Sequence, residues 1–272
     1  MFRTRLISGI VLVILALVFI ISGGYVLWAV SLALSLIGLM ELYRVFQIHK
    51  TMLGWLGYVL VIFYYLLLAA ATESALPINW MMYLMIVMMA CLCLMVCTYP
   101  KYNSNQVMQV IFGILYVGIM FSFLYQTRML PNGTYTVWLI FLSSWGCDTC
   151  AYCVGKLFGK HKMSPVLSPK KSIEGAVGGV AGTMLLTHIY AYIFAKQMDI
   201  TYAQVWVLTL ISAAGALISM VGDLTASAIK RYYDVKDYGK LIPGHGGIMD
   251  RVDSVLFTAP VIYYYLLLVI VK

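Results

Sequence analysis

Nine long apolar stretches constrain the fold of this chain more than any other feature of its sequence. Their approximate bounds are 6–22, 25–43, 53–71, 80–98, 107–125, 135–154, 176–195, 204–222 and 254–271. A helix needs about 20 apolar residues to cross the hydrocarbon core of a bilayer. The stretches are continuous rather than alternating, which disfavours a membrane β-barrel. The sequence therefore predicts an all-α polytopic integral membrane protein with about nine transmembrane helices and two long cytoplasmic loops that form a polar site at the membrane surface.

Composition supports the same class. Of the 272 residues, 63% are hydrophobic and 10% are charged, and the mean hydropathy is +0.93. A soluble globular protein of this size does not need so much apolar surface. A formal net charge of +8 would suggest nucleic acid as a partner of a soluble chain. Here the distribution of the charge explains it better, so we expect membrane lipids and no nucleic acid.

Lysine and arginine are divided unequally between the two sides of the predicted membrane. With the N-terminus inside, 15 of the 18 fall at cytoplasmic ends and loops, and the other side has only Arg128, Lys196 and Lys272. The positive-inside rule therefore predicts a cytoplasmic N-terminus. It also places the two long loops, 155–175 and 223–253, in the cytoplasm. A bacterial-type cytoplasmic membrane is the expected location.

The stretch 222–253, between the last two apolar runs, concentrates charge. It holds five of the ten carboxylates of the chain, together with five lysines or arginines and one histidine. A solvated loop with mixed charge is the ordinary explanation. The helical register suggests more, because a helix that continues past Gly222 would present one polar face. That face would carry Asp223, Ser227, Lys230 and Asp234.

The second half of this stretch combines glycines with carboxylates. Three glycines lie within 243–247, and their backbone N–H groups can line a concave anion nest. Asp250 and Asp253 are three residues apart and share a helical face, although an Asp near a helix start also serves as a cap. Carboxylates for a hard divalent cation, cations for phosphate and a glycine nest together indicate a Mg²⁺–polyphosphate site.

Two motifs in this stretch resemble the signature of the phosphatidate cytidylyltransferase family, also called CDP-diglyceride synthases. They read Ser227-x-x-Lys230-Arg231-x4-Lys236-Asp237-x-Gly239 and Pro243-x-His245-Gly246-Gly247-x-x-Asp250-Arg251-x-Asp253. The pattern is long and mixed in residue type, so chance agreement is improbable. The resemblance covers the chain from Asp148 onward and implies little about residues 1–140.

The loop 155–175 contributes a third resembling element. Residues 168–175 read Ser-Pro-Lys-Lys-Ser-Ile-Glu-Gly, which departs from the family pattern only by Ser for Thr at Ser172. Ser172 and Glu174 also suit an ordinary helix start, and paired lysines at a helix start make a good phosphate site. The other lysines of the loop (Lys156, Lys160 and Lys162) have a second interpretation as lipid-headgroup anchors. Asp148 lies inside an apolar run, where a carboxylate needs a partner or a wet cavity.

The resemblance implies an enzyme that transfers a cytidylyl group from CTP to phosphatidic acid, in phospholipid biosynthesis. The catalytic residues implied are Asp223, Asp250, Lys230 and Arg251. The substrate-binding residues implied are Ser168, Lys170, Lys171, Ser227, Arg231, Lys236, His245, Gly246 and Gly247. The expected cofactor is Mg²⁺, as one or two ions, with Asp223, Asp250, Asp253 and Asp148 as candidate ligands.

Two alternatives remain at this stage. A related CTP-dependent enzyme could act on another lipid phosphate or on a polyprenol. A transporter could use Asp148 and Asp223 as intramembrane ligands, although the charge clusters in loops. We treat residues 1–272 as one membrane-embedded domain, with helices of unassigned role in 1–140 and the catalytic half in 141–272. A homodimer is a further expectation.

Overall fold

A computed structural model describes the backbone of residues 2–74, 79–244 and 246–269, and the side chains of 9–72, 79–244 and 246–268. It confirms the all-α polytopic class, with helices through most of the described chain and a single short hairpin. The helices are α1 (Phe2–Ser22), α2 (Gly24–Val45), α3 (Met52–Ser74), α4 (Trp80–Cys97), α5 (Ser104–Gly113), α6 (Met120–Met129), α7 (Gly133–Thr136), α8 (Trp138–Phe141), α9 (Cys147–Phe158), α10 (Ile173–Ile193), α11 (Ala195–Met198), α12 (Tyr202–Tyr232) and α13 (Met249–Val269). Two π-helical segments, Ile114–Ile119 and Leu142–Gly146, and two strands, β1 (Lys162–Ser164) and β2 (Ser168–Ser172), complete the described elements.

Eight helical segments among the described residues are long and apolar enough to cross a membrane. They are Gly24–Val45, Met52–Thr72, Trp80–Cys97, Ser104–Met129, Gly133–Phe158, Ile173–Ile193, Tyr202–Tyr232 and Met249–Leu268. The remaining predicted span, 6–22, falls in α1, where only the apolar part Gly9–Ser22 has described side chains. The count of nine therefore stays a prediction.

The last two long helices differ from the sequence prediction at the ends that border the charged stretch. Helix α12 continues past Gly222 to Tyr232, so Asp223, Ser227 and Lys230 do lie on one helix. Asp234 follows the helix end and has a φ of 50°, so it is not part of that polar face. Helix α13 begins at Met249, five residues before the predicted start at 254, so Asp250 lies in its first turn.

The hairpin was not predicted from the sequence. Strands β1 and β2 pair antiparallel, with Lys162 opposite Ser172 and Ser164 opposite Ser168. The hairpin ends where α10 begins, and the Ser172 hydroxyl caps that helix by accepting the N–H of Gly175 at 3.1 Å. The predicted helix start at Ser172 is therefore confirmed, and the lysines of the 168–172 element lie on a strand.

The chain divides into two compact units, one of 1–122 and 237–250 and the other of 123–236 and 251–272. The first unit buries tyrosines among its apolar helices. The Tyr43 hydroxyl donates to the backbone carbonyl of Val110 at 2.8 Å, and the Tyr65 hydroxyl pairs with Ser35 at 2.8 Å. Such hydrogen bonds satisfy polar groups that lipid cannot solvate.

The second unit depends on close packing of α9 and α12 against α10. A Cβ at Gly178 would meet Val154 at 2.5 Å, and one at Gly179 would meet Met220 at 3.1 Å. The small residues of 175–182 therefore allow near contact between helix backbones. This packing fixes the helices that carry Asp148 and Asp223.

Candidate active site

Three carboxylates of the second unit form a group that we call the carboxylate cluster: Asp148, Asp223 and Asp253. The Ser254 hydroxyl lies 3.3 Å from Asp148 Oδ2 and 3.4 Å from Asp253 Oδ1. Asp253 is buried, with 8% of its surface exposed. The charge of Asp223 acts on both Asp148 and Asp253. Carboxylates from three helices, α9, α12 and α13, are thus brought within electrostatic range of one another.

A π-helical segment precedes Asp148. The turn Leu142–Gly146 leads directly into α9, and such turns interrupt the regular α-helical register, often at functional sites. The Trp145 indole N–H donates to the backbone carbonyl of Arg251 at 3.3 Å. This bond ties the turn to the start of the segment that carries Asp253 and Ser254.

Lys171 provides a counter-charge to the cluster. Its ammonium group forms an ion pair with Asp223 Oδ2, and both side chains are about a quarter exposed, at 24% and 28%. Lys171 lies on β2, so the hairpin places its ammonium group beside the Asp223 carboxylate of α12. No lysine or arginine lies within four residues of Asp223 in its own helix, and the structure supplies a cation from the hairpin instead.

The base of the hairpin is held by Glu174. Its carboxylate accepts the N–H groups of Lys160 and His161 at 3.0 and 3.2 Å, and it contacts His161 Nδ1 at 2.6 Å. A Cβ at Gly159 would meet the Ser172 hydroxyl at 2.6 Å. The turn before the hairpin therefore packs against the capped start of α10, which positions Lys171.

The other predicted polar residues of the second unit lie at different depths. Ser168, Ser227 and Lys230 are half-buried, whereas Lys170, Arg231, Lys236 and Arg251 are exposed. The charge of Lys230 acts on Asp253, and the charge of Arg251 acts on Asp148. The structure thus brings Lys171, Lys230 and Arg251 close to the carboxylate cluster.

The donor set of the cluster suits a hard cation. Within the part of the chain that the structure describes, no three His, Cys, Asp or Glu side chains are arranged to hold a metal ion by themselves. Mg²⁺ prefers oxygen ligands and usually keeps waters and substrate phosphates in its shell. The chemistry of the cluster therefore fits an ion whose shell the substrate completes.

In the first unit, Asp250 contacts the backbone of a segment that we call the glycine loop, whose described residues are 237–244 and 246–250. Asp250 is 7% exposed, and its Oδ2 accepts the N–H groups of Tyr238 at 2.9 Å and Gly247 at 3.1 Å. The Gly247 amide, expected to bind substrate anions, is thus engaged by a carboxylate in this structure. Gly246 has a φ of 86°, which favours glycine. His245 lies outside the described residues, and the pairing of Asp250 with Asp223 stays a prediction.

Glu41 also contacts the glycine loop, and the sequence analysis missed it. The carboxylate is 2% exposed, in α2, and it accepts the N–H groups of Ile248 at 3.2 Å and Met249 at 2.9 Å. The signal in the sequence is a carboxylate within an apolar span, but Arg44 lies three residues further on and offers a local partner in the same helix. No ion pair between these two residues is found among the described side chains.

Comparison with known proteins identifies the family of the chain. Residues 3–269 match the Cytidylyltransferase family. A phosphatidate cytidylyltransferase of Staphylococcus epidermidis is 32% identical over 265 residues, covering 96% of this chain and 97% of that protein. Proteins of the same name from Staphylococcus aureus and Staphylococcus haemolyticus are 32% and 30% identical, with the same coverage of both chains. The chain therefore belongs to the cytidylyltransferase family.

Proposed function

We propose that this chain is a phosphatidate cytidylyltransferase, which converts CTP and phosphatidate to CDP-diacylglycerol and pyrophosphate in phospholipid biosynthesis. The observation that carries the proposal is the carboxylate cluster with Lys171 paired to Asp223, in a chain of the cytidylyltransferase family. Support for the lipid substrate comes from the name that the staphylococcal relatives share and from the eight apolar helices.

In this reaction the phosphate of phosphatidate replaces pyrophosphate on the α-phosphorus of CTP. A phosphate oxygen of phosphatidate attacks the α-phosphorus of CTP. The bond from that phosphorus to the oxygen bridging to the β-phosphorus breaks, and pyrophosphate leaves with that oxygen. Two anions must meet, so most of the catalytic effect comes from charge neutralisation and positioning.

Lys171 is the residue best placed to exchange partners during this reaction. It is half-buried and paired with Asp223, so an arriving phosphate competes with a carboxylate for the ammonium group. A charge-assisted hydrogen bond to phosphate is comparable in strength to one with carboxylate. Lys171 would bind and orient the triphosphate, and Lys170, exposed on the same strand, would add a weaker attraction.

The carboxylate cluster is the candidate holder of Mg²⁺. When bound, the ion would act as a Lewis acid and neutralise the charge that develops on the phosphates. Asp148, Asp223 and Asp253 would supply oxygens, with Ser254 fixing two of the three carboxylates. Asp250 remains a proposed ligand, because a carboxylate has about four acceptor positions and the two amide bonds occupy one of its oxygens.

A substrate assay tests the proposal. The purified protein in detergent is incubated with CTP labelled on the α-phosphate, Mg²⁺ and, in separate reactions, phosphatidate, another lipid phosphate and a polyprenyl phosphate. We expect label in a lipid product only with phosphatidate, and release of unlabelled pyrophosphate. Preferential transfer of label to another acceptor rather than to phosphatidate would contradict the substrate assignment. If label is transferred to none of the acceptors, the proposed activity is contradicted.

We also propose that the N-terminus and the site face the cytoplasm. Support comes from the unequal distribution of lysine and arginine. A single cysteine introduced at Lys240, in a background without the exposed native cysteines, should react with an impermeant reagent only in inside-out vesicles. Reaction in right-side-out vesicles would reverse the orientation and contradict access of the site to cytoplasmic CTP.

A further inference from the structure

The glycine loop of the first unit is held by a carboxylate that no sequence motif includes. Glu41 lies near the end of the apolar helix α2 and is 2% exposed. Burial of a carboxylate is unfavourable unless hydrogen bonds compensate for the lost water. The hydrogen-bond partners of Glu41 therefore explain how a carboxylate can be buried at this position.

Those partners are two successive backbone amides more than 200 residues away in sequence. Glu41 Oε1 accepts the N–H of Ile248 at 3.2 Å, and Oε2 accepts the N–H of Met249 at 2.9 Å. Helix α13 begins at Met249, so these are amides that the helix itself leaves without an acceptor. Glu41 thus caps α13 from another helix, in the position where a negative charge also favours the helix dipole.

The loop is shaped to receive this carboxylate. Two glycines, Gly239 and Gly247, lie against it, and a Cβ at either one would overlap a Glu41 side-chain oxygen. The nearest atoms that either added Cβ would meet all belong to Glu41. A requirement for close approach, rather than for an unusual φ, therefore explains these two glycines.

Asp250 acts on the same backbone from within the loop. Its Oδ2 accepts the N–H of Gly247 at 3.1 Å, next in sequence to the two amides that Glu41 holds. Three successive amides, 247 to 249, are thus engaged by two carboxylates. We call Glu41 and Asp250 the carboxylate clamp.

We propose that Glu41 is a positioning residue for cytidylyl transfer, which acts by holding the glycine loop in the conformation that presents Gly246, Gly247 and Asp250. The inference rests on the proposed function, since the loop matters to catalysis only if it handles CTP. Glu41 itself contacts backbone amides, so its effect on turnover would act through the loop.

The experiment compares Glu41→Gln with Tyr43→Phe. The control removes a buried hydrogen bond from the same helix, but its partner is Val110 and not the loop. Hydrogen–deuterium exchange is followed on a peptide that covers the glycine loop, and kcat and KM are measured with CTP and phosphatidate. Glutamine keeps one acceptor and turns a donor toward the other amide, so the clamp loses at least one bond.

For Glu41→Gln we expect exchange of the loop amides to accelerate about 10-fold to 100-fold. We expect kcat to fall about 100-fold, since small misplacements of catalytic groups have effects of that size. Tyr43→Phe should leave loop exchange and kcat near wild type. If Glu41→Gln cannot be obtained folded, Gly239→Ala forces the same contact apart and should also accelerate loop exchange.

The outcomes separate the two hypotheses. If the loop amides of Glu41→Gln exchange as slowly as those of the wild type, the clamp is overturned. If they exchange faster but kcat is unchanged, the positioning role is overturned. An inactive wild type would instead contradict the proposed function, and the exchange measurement would still decide whether Glu41 holds the loop.

Discussion

Both compact units bury carboxylates, but they give them different partners. In the clamp of the first unit, Glu41 and Asp250 accept backbone N–H groups. In the cluster of the second unit, Asp148 and Asp253 share a serine hydroxyl, and Asp223 pairs with Lys171. Backbone amides are fixed parts of the fold, whereas a lysine on a hairpin can turn to another anion.

This difference separates a structural use of negative charge from a chemical one. Amide bonds to a buried carboxylate stabilise one backbone conformation and resist exchange with solvent. Carboxylates that repel one another, with nearby cations such as Lys171 as their partners, form a site where a divalent cation or phosphate can replace the existing partners. We therefore expect substitutions in the two sets to change different measurable properties.

The largest effect is expected for Asp223→Asn. Loss of this charge removes a proposed metal ligand and leaves Lys171 unpaired, so turnover should fall about 1000-fold. Thermal stability in detergent should stay near wild type, because Asp223 is partly exposed. A matched control is Asp199→Asn, an exposed residue at the end of α11. Turnover of Asp223→Asn within a few-fold of wild type would remove this residue from the catalytic site.

Asp250→Asn tests whether this one carboxylate both holds the glycine loop and binds the metal ion. Asparagine keeps one oxygen that can accept an amide but loses the charge, so we expect turnover to fall about 100-fold. If Asp250 is also a metal ligand, the loss is accompanied by a higher Mg²⁺ requirement. Faster deuterium exchange in the glycine loop with an unchanged Mg²⁺ requirement would limit Asp250 to the clamp.

A smaller effect is expected for the hairpin lysines. Lys171→Ala should raise the KM for CTP about tenfold, the size of one charge-assisted hydrogen bond. Lys170→Ala should have a weaker effect, because Lys170 is exposed and its position is not fixed by an ion pair. Steady-state kinetics of the two variants at matched expression give the comparison. Equal kinetics in both variants and the wild type would leave these lysines as headgroup anchors.

The smallest effect is expected for Ser254→Ala. Its hydroxyl lies near both Asp148 and Asp253, and loss of a neutral hydrogen bond should lower kcat about fivefold. Thr258→Ala is the control, since the Thr258 hydroxyl donates to the backbone of its own helix, at the Ser254 carbonyl. An equal loss in both variants would show that packing of α13, and not the shared hydroxyl, explains the result.

Much of this architecture was predictable because apolar length and isolated charge are local signals. The spans follow from hydropathy, and Asp148 and Asp223 were identified as charges within or beside apolar runs. The glycines of 175–182 are also a local signal, because small residues in an apolar run favour the close helix packing found in the structure.

The features that were missed depend on contacts distant in sequence. Glu41 and Met249 are 208 residues apart, and the local sequence offers only Arg44, three residues away, as a partner for the carboxylate. Ser254 is one of many hydroxyl residues in apolar helices, and nothing in the sequence distinguished it. The hairpin at 162–172 contains two prolines and several lysines, a composition that predicts a loop and conceals a short strand pair.

The most direct test of the central claim, that the cluster of the second unit binds substrate and metal, is the effect of Mg²⁺ and CTP on thermal stability. Binding to the folded state raises stability in proportion to the logarithm of ligand concentration. For the wild type and for Asp199→Asn we predict that saturating Mg²⁺ and CTP raise Tm by roughly 5 °C. We predict no such rise for Asp223→Asn, and a rise equal to that of the wild type would contradict the account.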